Sequence, residues 1–581
     1  MQLPLVRAAE LHVGSGQTYT TIQAAITAAS AGDTIIVHPG TYDEQVVITK
    51  PLTLQGYGDT TIIQPAGPGR LTSFYQLGTQ ADALWNGHKL ASIISIQNVG
   101  PTGVTVKNLK VDGVYVNALP PGANYVVGIS YGETAGTIDN VTVINMNSVP
   151  IATRTYGMWL DAVINSVSVE VKKSRINYYN KNAITARGAK LTVNIHDNTI
   201  VGPGTPGTQV PNGIMLTFGC GGTVSYNTVS GHHYTPGEWL SCGISGYDAK
   251  DGVIVDHNEV YDTDIGIGMH HSNGGSMYGN QLHDCGWGIL LEAGSADNNI
   301  YCNQIHNNHC GIYLLGPGSP YYTGPGDESG PGNTAFYNNI YGNTEGVRNW
   351  ISQVFNAEYN WWGDASGPHH STLNPSGTGN SVSDNVDFAP WLTAPLSGVD
   401  SKTVPAGATT TVGSKDLGVS ADVTTTTGTP TVTVATYTSN PGGKPTFSAL
   451  GKYVDVHIDN AAGVTQILIK VYYTDAEVAA SGITESTLKL YWWTGSAWVA
   501  CSDTGVDTVN NYIWARITAT STPNLNQLTG TPFGAGGVKP APVGGYVIPV
   551  SKASVLAPYL ALFGLAGAIA VVAVKLRRRK A

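Results

Sequence analysis

The sequence predicts an all-β chain: a parallel β-helix over residues 1–395 with a short N-terminal capping helix, a β-sandwich over 396–533, and a C-terminal transmembrane helix over 553–574. Three observations lead there. A Gly followed by an aliphatic residue returns at a near-constant interval. Past residue 397 the strand alternation continues without that interval, and one long stretch near the C-terminus carries no charge.

The repeat is written around Gly213, Gly243, Gly266, Gly288 and Gly311, each followed by Ile, and Gly346, followed by Val. Gly128, Gly157 and Ala183 fit the same frame upstream. The spacing settles at about 22 residues, and wider intervals hold loop insertions. Asn258, Asn280, Asn303 and Asn338 each stand eight residues before their Gly, and Asn360 continues the series. Two or three short strands per period, separated by Asn or Gly corners, are what a solenoid of stacked parallel strands requires. The residue after each Gly reads Ile129, Met158, Ile184, Ile214, Ile244, Ile267, Ile289, Ile312, Val347, and the third residue on is mostly apolar as well, so both columns point inward. Asn suits the corner because it tolerates left-handed backbone angles and its amide can bond to the Asn one rung away.

A solenoid's open end needs a lid. Ile22, Ala25, Ile26 and Ala29 share one helical face; Thr20 with Gln23 reads as a capping box, and Gly32 as the helix end. From 396 to 533, alternating runs such as "YVDVHIDN" and "TQILIKVYYT" read as a sandwich, and residues 534–552 as a Gly/Pro linker.

Residues 553–574 carry no charge and are long enough to cross the roughly 30 Å of bilayer hydrocarbon. "KLRRRKA" at 575–581 then reads as a cytoplasmic basic tail, which places the rest of the chain outside, at the cell surface. "MQLPLVRAAELHV" lacks the apolar run of an export signal, so the start reads as truncated or processed. The six Cys suit an oxidising exterior, with no readable pairing. Lys and Arg number 29 against 39 Asp and Glu and cluster only at the end, so no nucleic-acid partner is expected.

"GQTYTTIQAAITAASAGDTIIVHPGTYDEQVVITKPLTLQGYG" resembles the opening of right-handed parallel β-helix proteins of the pectin lyase-like superfamily. "NWWGDASGPHH", followed by "VDFAPWL", resembles the closing segment of β-helix ectodomains in membrane-anchored prokaryotic, especially archaeal-type, surface proteins with PbH1-type repeats. The resemblance covers residues 11 to 395 and implies a right-handed coil. It is not specific for activity, because the superfamily holds lyases, hydrolases, esterases, epimerases, adhesins and surface-layer components.

The residues two and four positions after each Gly are expected to face outward. The fourth-position column contains Asp161, Arg187, Tyr247, His270 and Glu292; the second-position column contains Trp159 and Tyr313. For elimination or C5-epimerisation of a uronic acid, Arg187 would neutralise the substrate carboxylate, His270 would take the C5 proton, Tyr247 would return one, and Glu292 would tune His270. Asp161, Trp159 and Tyr313 would bind the sugar. Hydrolysis needs two carboxylates about 5 to 9.5 Å apart, and Asp161 and Glu292 lie several rungs from each other. Any exposed sheet is polar, so the column does not by itself establish a site. His232, His233 and Glu238, or His270 with His271, offer metal ligands, but adjacent His on a strand point to opposite faces, so no metal is expected. No motif names a cofactor. Three readings stay open: a membrane-anchored surface protein with a structural, adhesive or polysaccharide-binding role and envelope glycans as partners; an anchored polysaccharide lyase or C5-epimerase acting on uronic-acid polymers; and a self-assembling surface-layer subunit.

Overall fold

The computed structural model describes residues 8–78, 87–116, 118–147, 154–204, 209–234, 241–540, 556–557 and 559–562. From Thr155–Asp161 onward each strand of the coil pairs in parallel with the third strand beyond it, so the chain makes three strands per turn and stacks them into three sheets. One sheet carries the repeated glycines: Thr155–Asp161, Asn182–Arg187, Asn212–Thr217, Cys242–Tyr247, Ile265–His270, Trp287–Glu292, Cys310–Leu314 and Glu345–Asn349. A second sheet includes Glu259–Thr263, Gln281–His283, Gln304–His306 and Asn339–Tyr341, each led by an Asn of the repeat or lying directly beside one.

The aliphatic column stacks in register without a break: Ile129 on Met158, Ile184, Ile214, Ile244, Ile267, Ile289, Ile312 and Val347. All nine are buried, in one core that runs from Val13 to Phe388. The glycine that leads each strand has a steric cause. A Cβ on Gly266, Gly288 or Gly311 would come within 2.5–2.6 Å of the carbonyl oxygen of the glycine one rung on.

The asparagines are buried and linked. The Nδ2 of Asn258 donates to Oδ1 of Asn280 at 3.0 Å, and the series continues through Asn303, Asn338 and Asn360 at 2.9–3.0 Å. The same Oδ1 also takes the backbone N–H of the asparagine before it, at 2.9–3.0 Å. Each Nδ2 also bonds a carbonyl of the neighbouring rung, as Asn280 does to Val255 at 2.9 Å. The left-handed residue at this corner is not the asparagine but the one before it: His257, Gly279, Cys302, Tyr337 and Tyr359 all have positive φ. The asparagine keeps its amide inside the coil only if its neighbour makes the turn. A second series the repeat did not reveal, Asn308, Asn343 and Asn380, runs the same way.

The lid helix forms at Ile22–Ala28 with Thr21, not Thr20, as its cap, and it ends at Ala29 rather than Gly32. The reason lies elsewhere in the chain: the Glu44 carboxylate takes the N–H groups of Ile22 and Gln23 at 2.8 and 3.0 Å, which sets the first turn there. Gln23 leaves the local capping box and pairs with the backbone of Val47 instead.

The sandwich is antiparallel, with six strands in one sheet and five in the other, beginning at Leu396–Thr403. Its last strand, Thr529–Gly537, takes in residues 534–537, which the sequence assigns to the linker. A helix that the strand pattern does not predict, Asp475–Ser481, is marked locally by the reciprocal Thr474/Glu477 capping box and by Gly482 in the left-handed conformation. The sandwich docks against the lower rungs. Asp455 of the sandwich accepts from Tyr337 of the coil at 2.8 Å and from Tyr437 of the sandwich at 2.6 Å, within an aromatic cluster that includes Leu392, Leu396 and Trp498.

The membrane span expected at 553–574 lies outside the described residues except for 556, 557 and 559–562, which are helical, and the basic tail lies outside them entirely. Among the described residues, no helix is long and apolar enough to cross a membrane. All six Cys are free thiols.

Two outcomes are expected. Asn280→Leu leaves the buried Asn258 backbone N–H without its acceptor and takes one bond each from the Asn258 Nδ2 and the Val255 carbonyl; at about 1–3 kcal/mol for an unpaired buried group, thermal unfolding should show a drop in stability. Burial raises the Asp455 carboxyl to about 6, whereas an unfolded Asp titrates near about 3.9. The folded chain therefore holds a proton that the unfolded chain has lost between those values, so this contribution is fully present below about pH 4 and is lost as pH rises through 6. Melting temperatures followed from pH 4 to 7 should fall less in Asp455→Asn than in the parent.

Candidate functional site

The outer face of the glycine sheet divides into a sealed upper part and an open lower part. In the upper part Arg187 Nη1 pairs with Asp161 Oδ1 at 2.6 Å, and both side chains are 0% exposed. The Tyr75 hydroxyl donates to the other Asp161 oxygen at 2.9 Å. Burial pushes the Asp161 carboxyl up while Arg187 pulls it back, and burial beside that charge pushes the Tyr75 phenol up, so it remains a donor. Trp159 is fully buried in a cluster with Tyr75, Leu90, Tyr125 and Tyr156. These residues do point out of the coil, as the alternation requires. The strand Phe74–Gln76, from an insertion far earlier in the chain, covers them, so Arg187, Asp161 and Trp159 do not line an accessible groove.

Lower down, the column is partly exposed and its members meet. The Tyr247 and His270 rings stack at 4.2 Å, 7° from parallel, and His270 Nδ1 lies 3.3 Å from Glu292 Oε1. Burial and then the Glu292 charge raise the Tyr247 phenol, which keeps it protonated. Tyr313 does not serve as a sugar platform. It is 6% exposed, stacked on Trp287 at 4.5 Å and tied to Ser319 at 2.7 Å, because the insertion at 316–331 folds over it.

Below Glu292 the same column passes through Leu315 to Trp350, and there a cleft of about 820 Å³ opens. Its lining includes Glu328, Glu345, Arg348, Trp350, His370 and Asp384. Arg348 forks onto Glu345 at 2.9 and 2.7 Å, with its guanidinium 5.2 Å from the Trp350 ring centre. His370 Nδ1 accepts the N–H groups of Thr372 and Leu373, so Nε2 carries the proton and faces Asp384 at 3.2 Å. Glu328 accepts from the Gly326 N–H and the Tyr322 hydroxyl; backbone N–H donation holds its carboxyl below the usual range. The repeat ends its outward column at Leu315 and Trp350, but two insertions build the walls of this cleft, and no periodicity marks an insertion's fold.

Among the described residues, no group of three or more His, Cys, Asp or Glu side chains is placed to hold a metal. His232 is wholly buried against the Tyr179 hydroxyl, and burial lowers its imidazole to about 3. His233 sits between Asp262 and Asp264, and Glu238 lies outside the described residues.

Residues 162–325 match the family model described as the right handed beta helix region, which gives the coil its hand. No curated protein matches the chain. Similar solved structures include a GH136 lacto-N-biosidase from Eubacterium ramulus, at 13% identity over 59% of this chain and 68% of that one, with a TM-score of 0.39. The A-module of mannuronan C-5 epimerase AlgE6 from Azotobacter vinelandii is similar at 16% identity over 64% and 94%, with a TM-score of 0.38. The catalytic domain of a GH87 alpha-1,3-glucanase is similar at 14% identity over 62% and 65%, with a TM-score of 0.39.

Arg187→Met strands the buried Asp161 carboxylate. A loss of about 3–5 kcal/mol is expected, read as a lower unfolding midpoint, with ligand binding at the open cleft unchanged in whatever fraction remains folded.

Proposed function

We propose that this right-handed β-helix is a membrane-anchored cell-surface protein that binds a polysaccharide chain along the open part of the glycine sheet, with the cleft beside Trp350 as the main contact. The observation that carries this reading is the placing of the Tyr247, His270 and Glu292 ladder and the 820 Å³ cleft on one outer column, on either side of the buried Leu315. The cleft's mix of one indole, carboxylates and hydroxyls suits a hydroxyl-rich ligand. Support for the anchor comes from the uncharged stretch 553–574 and the cations that follow it.

A second reading, a polysaccharide lyase or C5-epimerase, is favoured by the contact of His270 with Glu292 beside a protonated phenol, an arrangement able to move protons. It lacks its carboxylate-neutralising group, since Arg187 is sealed against Asp161.

The test uses full-length protein in detergent and a panel of polysaccharides. Binding is expected, and Trp350→Ala should weaken it by about 2 kcal/mol, roughly 30-fold, measured per folded molecule, since the indole also packs on the Trp287, Tyr313 and Leu315 cluster and its loss lowers the unfolding midpoint. Ultraviolet absorbance from unsaturated chain ends, or C5-isomerised residues, would replace this reading with the second. No binding to any polysaccharide would overturn both.

A further inference from the structure

Between Lys250 and Lys402 the chain carries one cationic side chain other than histidine, Arg348, against sixteen Asp and Glu. This stretch contains the last rungs of the coil, both insertions and the whole cleft. We infer that the cleft selects glycan chains free of acidic groups and turns away uronic-acid polymers. The inference deepens the saccharide-binding reading and rests on it.

The charges in the cleft support this. Arg348 is the only Lys or Arg in the lining, and its Nε and Nη2 both bond the two oxygens of Glu345, so its charge is balanced by that carboxylate and one of its two bidentate edges is taken. Glu328 and Asp384 remain without a cation. His370 turns Nε2–H toward Asp384 but, with Nδ1 accepting two backbone N–H groups, does so as the neutral ring. Glu292 adds a further negative charge on the approach. The surface around the cleft therefore presents a negative field to any ligand. A chain of sugar hydroxyls meets acceptors in Glu328 and Asp384 and neutral partners in Gln353, Ser371, Ser383 and Asn385. A chain with a carboxylate on every residue meets like charge at each step, which costs affinity and slows encounter.

The test is a hexasaccharide array carrying uncharged, amino-sugar and uronic-acid probes, read with the full-length protein in detergent, in buffer with EDTA and in buffer with calcium. Retention on uncharged or amino-sugar probes, at least about tenfold above the uronates in both buffers, is expected from the like-charge penalty. Affinity for an uncharged probe should not change with ionic strength. Preference for uronates in either buffer would overturn the inference while leaving the saccharide-binding reading intact; retention on no probe would overturn both. The double variant Glu328→Gln, Asp384→Asn, checked for an unchanged unfolding midpoint, should narrow the discrimination by about tenfold. An unchanged ratio in that variant would also overturn the charge argument.

Discussion

A parallel coil must turn its backbone several times per rung, and at each turn N–H and C=O groups leave the strand ladder while still facing a hydrocarbon interior. Left unmade, such bonds cost about 1–3 kcal/mol each. The asparagine column resolves this at one corner. Each amide oxygen takes two N–H groups from one neighbouring rung, and each amide nitrogen donates to the next asparagine and to a strand carbonyl. Because every amide is both donor and acceptor within the series, the corner has little freedom in length. The strands ending at Asp256, Tyr278, Tyr301 and Phe336 are all followed by their asparagine at the same short distance. Insertions enter elsewhere, and the cleft is a consequence: the segment at 316–331 leaves the glycine sheet, not the asparagine corner, and returns as a wall.

Pointing out of the coil and meeting solvent are separate properties. Asp161 and Glu292 occupy the same column, yet one is sealed in an ion pair and the other is a third exposed at its side chain. The difference comes from Tyr75, which reaches Asp161 across 86 residues of chain. The upper face has thus become a second, partly polar core, and only the lower face keeps its outward side chains partly exposed.

The sandwich uses the corner again. Tyr337 makes the left-handed turn before Asn338, and from that corner its side chain, buried where the coil meets the sandwich, reaches Asp455 with its hydroxyl. The geometry that closes the coil also presents a group that docks the next domain, beside the reciprocal bonds of Asn339 with Leu396 and the shared aromatic cluster.

How much of this was legible follows from the range of the interactions. The inward columns, the asparagine series and the period were readable because each rung contacts only its neighbours, so a local pattern repeats as a local contact. Thr20 was misread as the helix cap because the deciding carboxylate, Glu44, is not local. The helix at 475–481 was missed although its capping box is written in the sequence, because the surrounding alternation reads as strand. For the candidate site, the sequence placed Tyr247, His270 and Glu292 in one column, and they meet; it placed Arg187 and Asp161 there too, but could not show that they are covered. By itself, then, the sequence determined the coil, its register and which side chains leave the core, since these depend on spacing along the chain. Only the tertiary structure decided which of those side chains stay wet and where a cleft opens, since that depends on distant insertions folding back over the sheet.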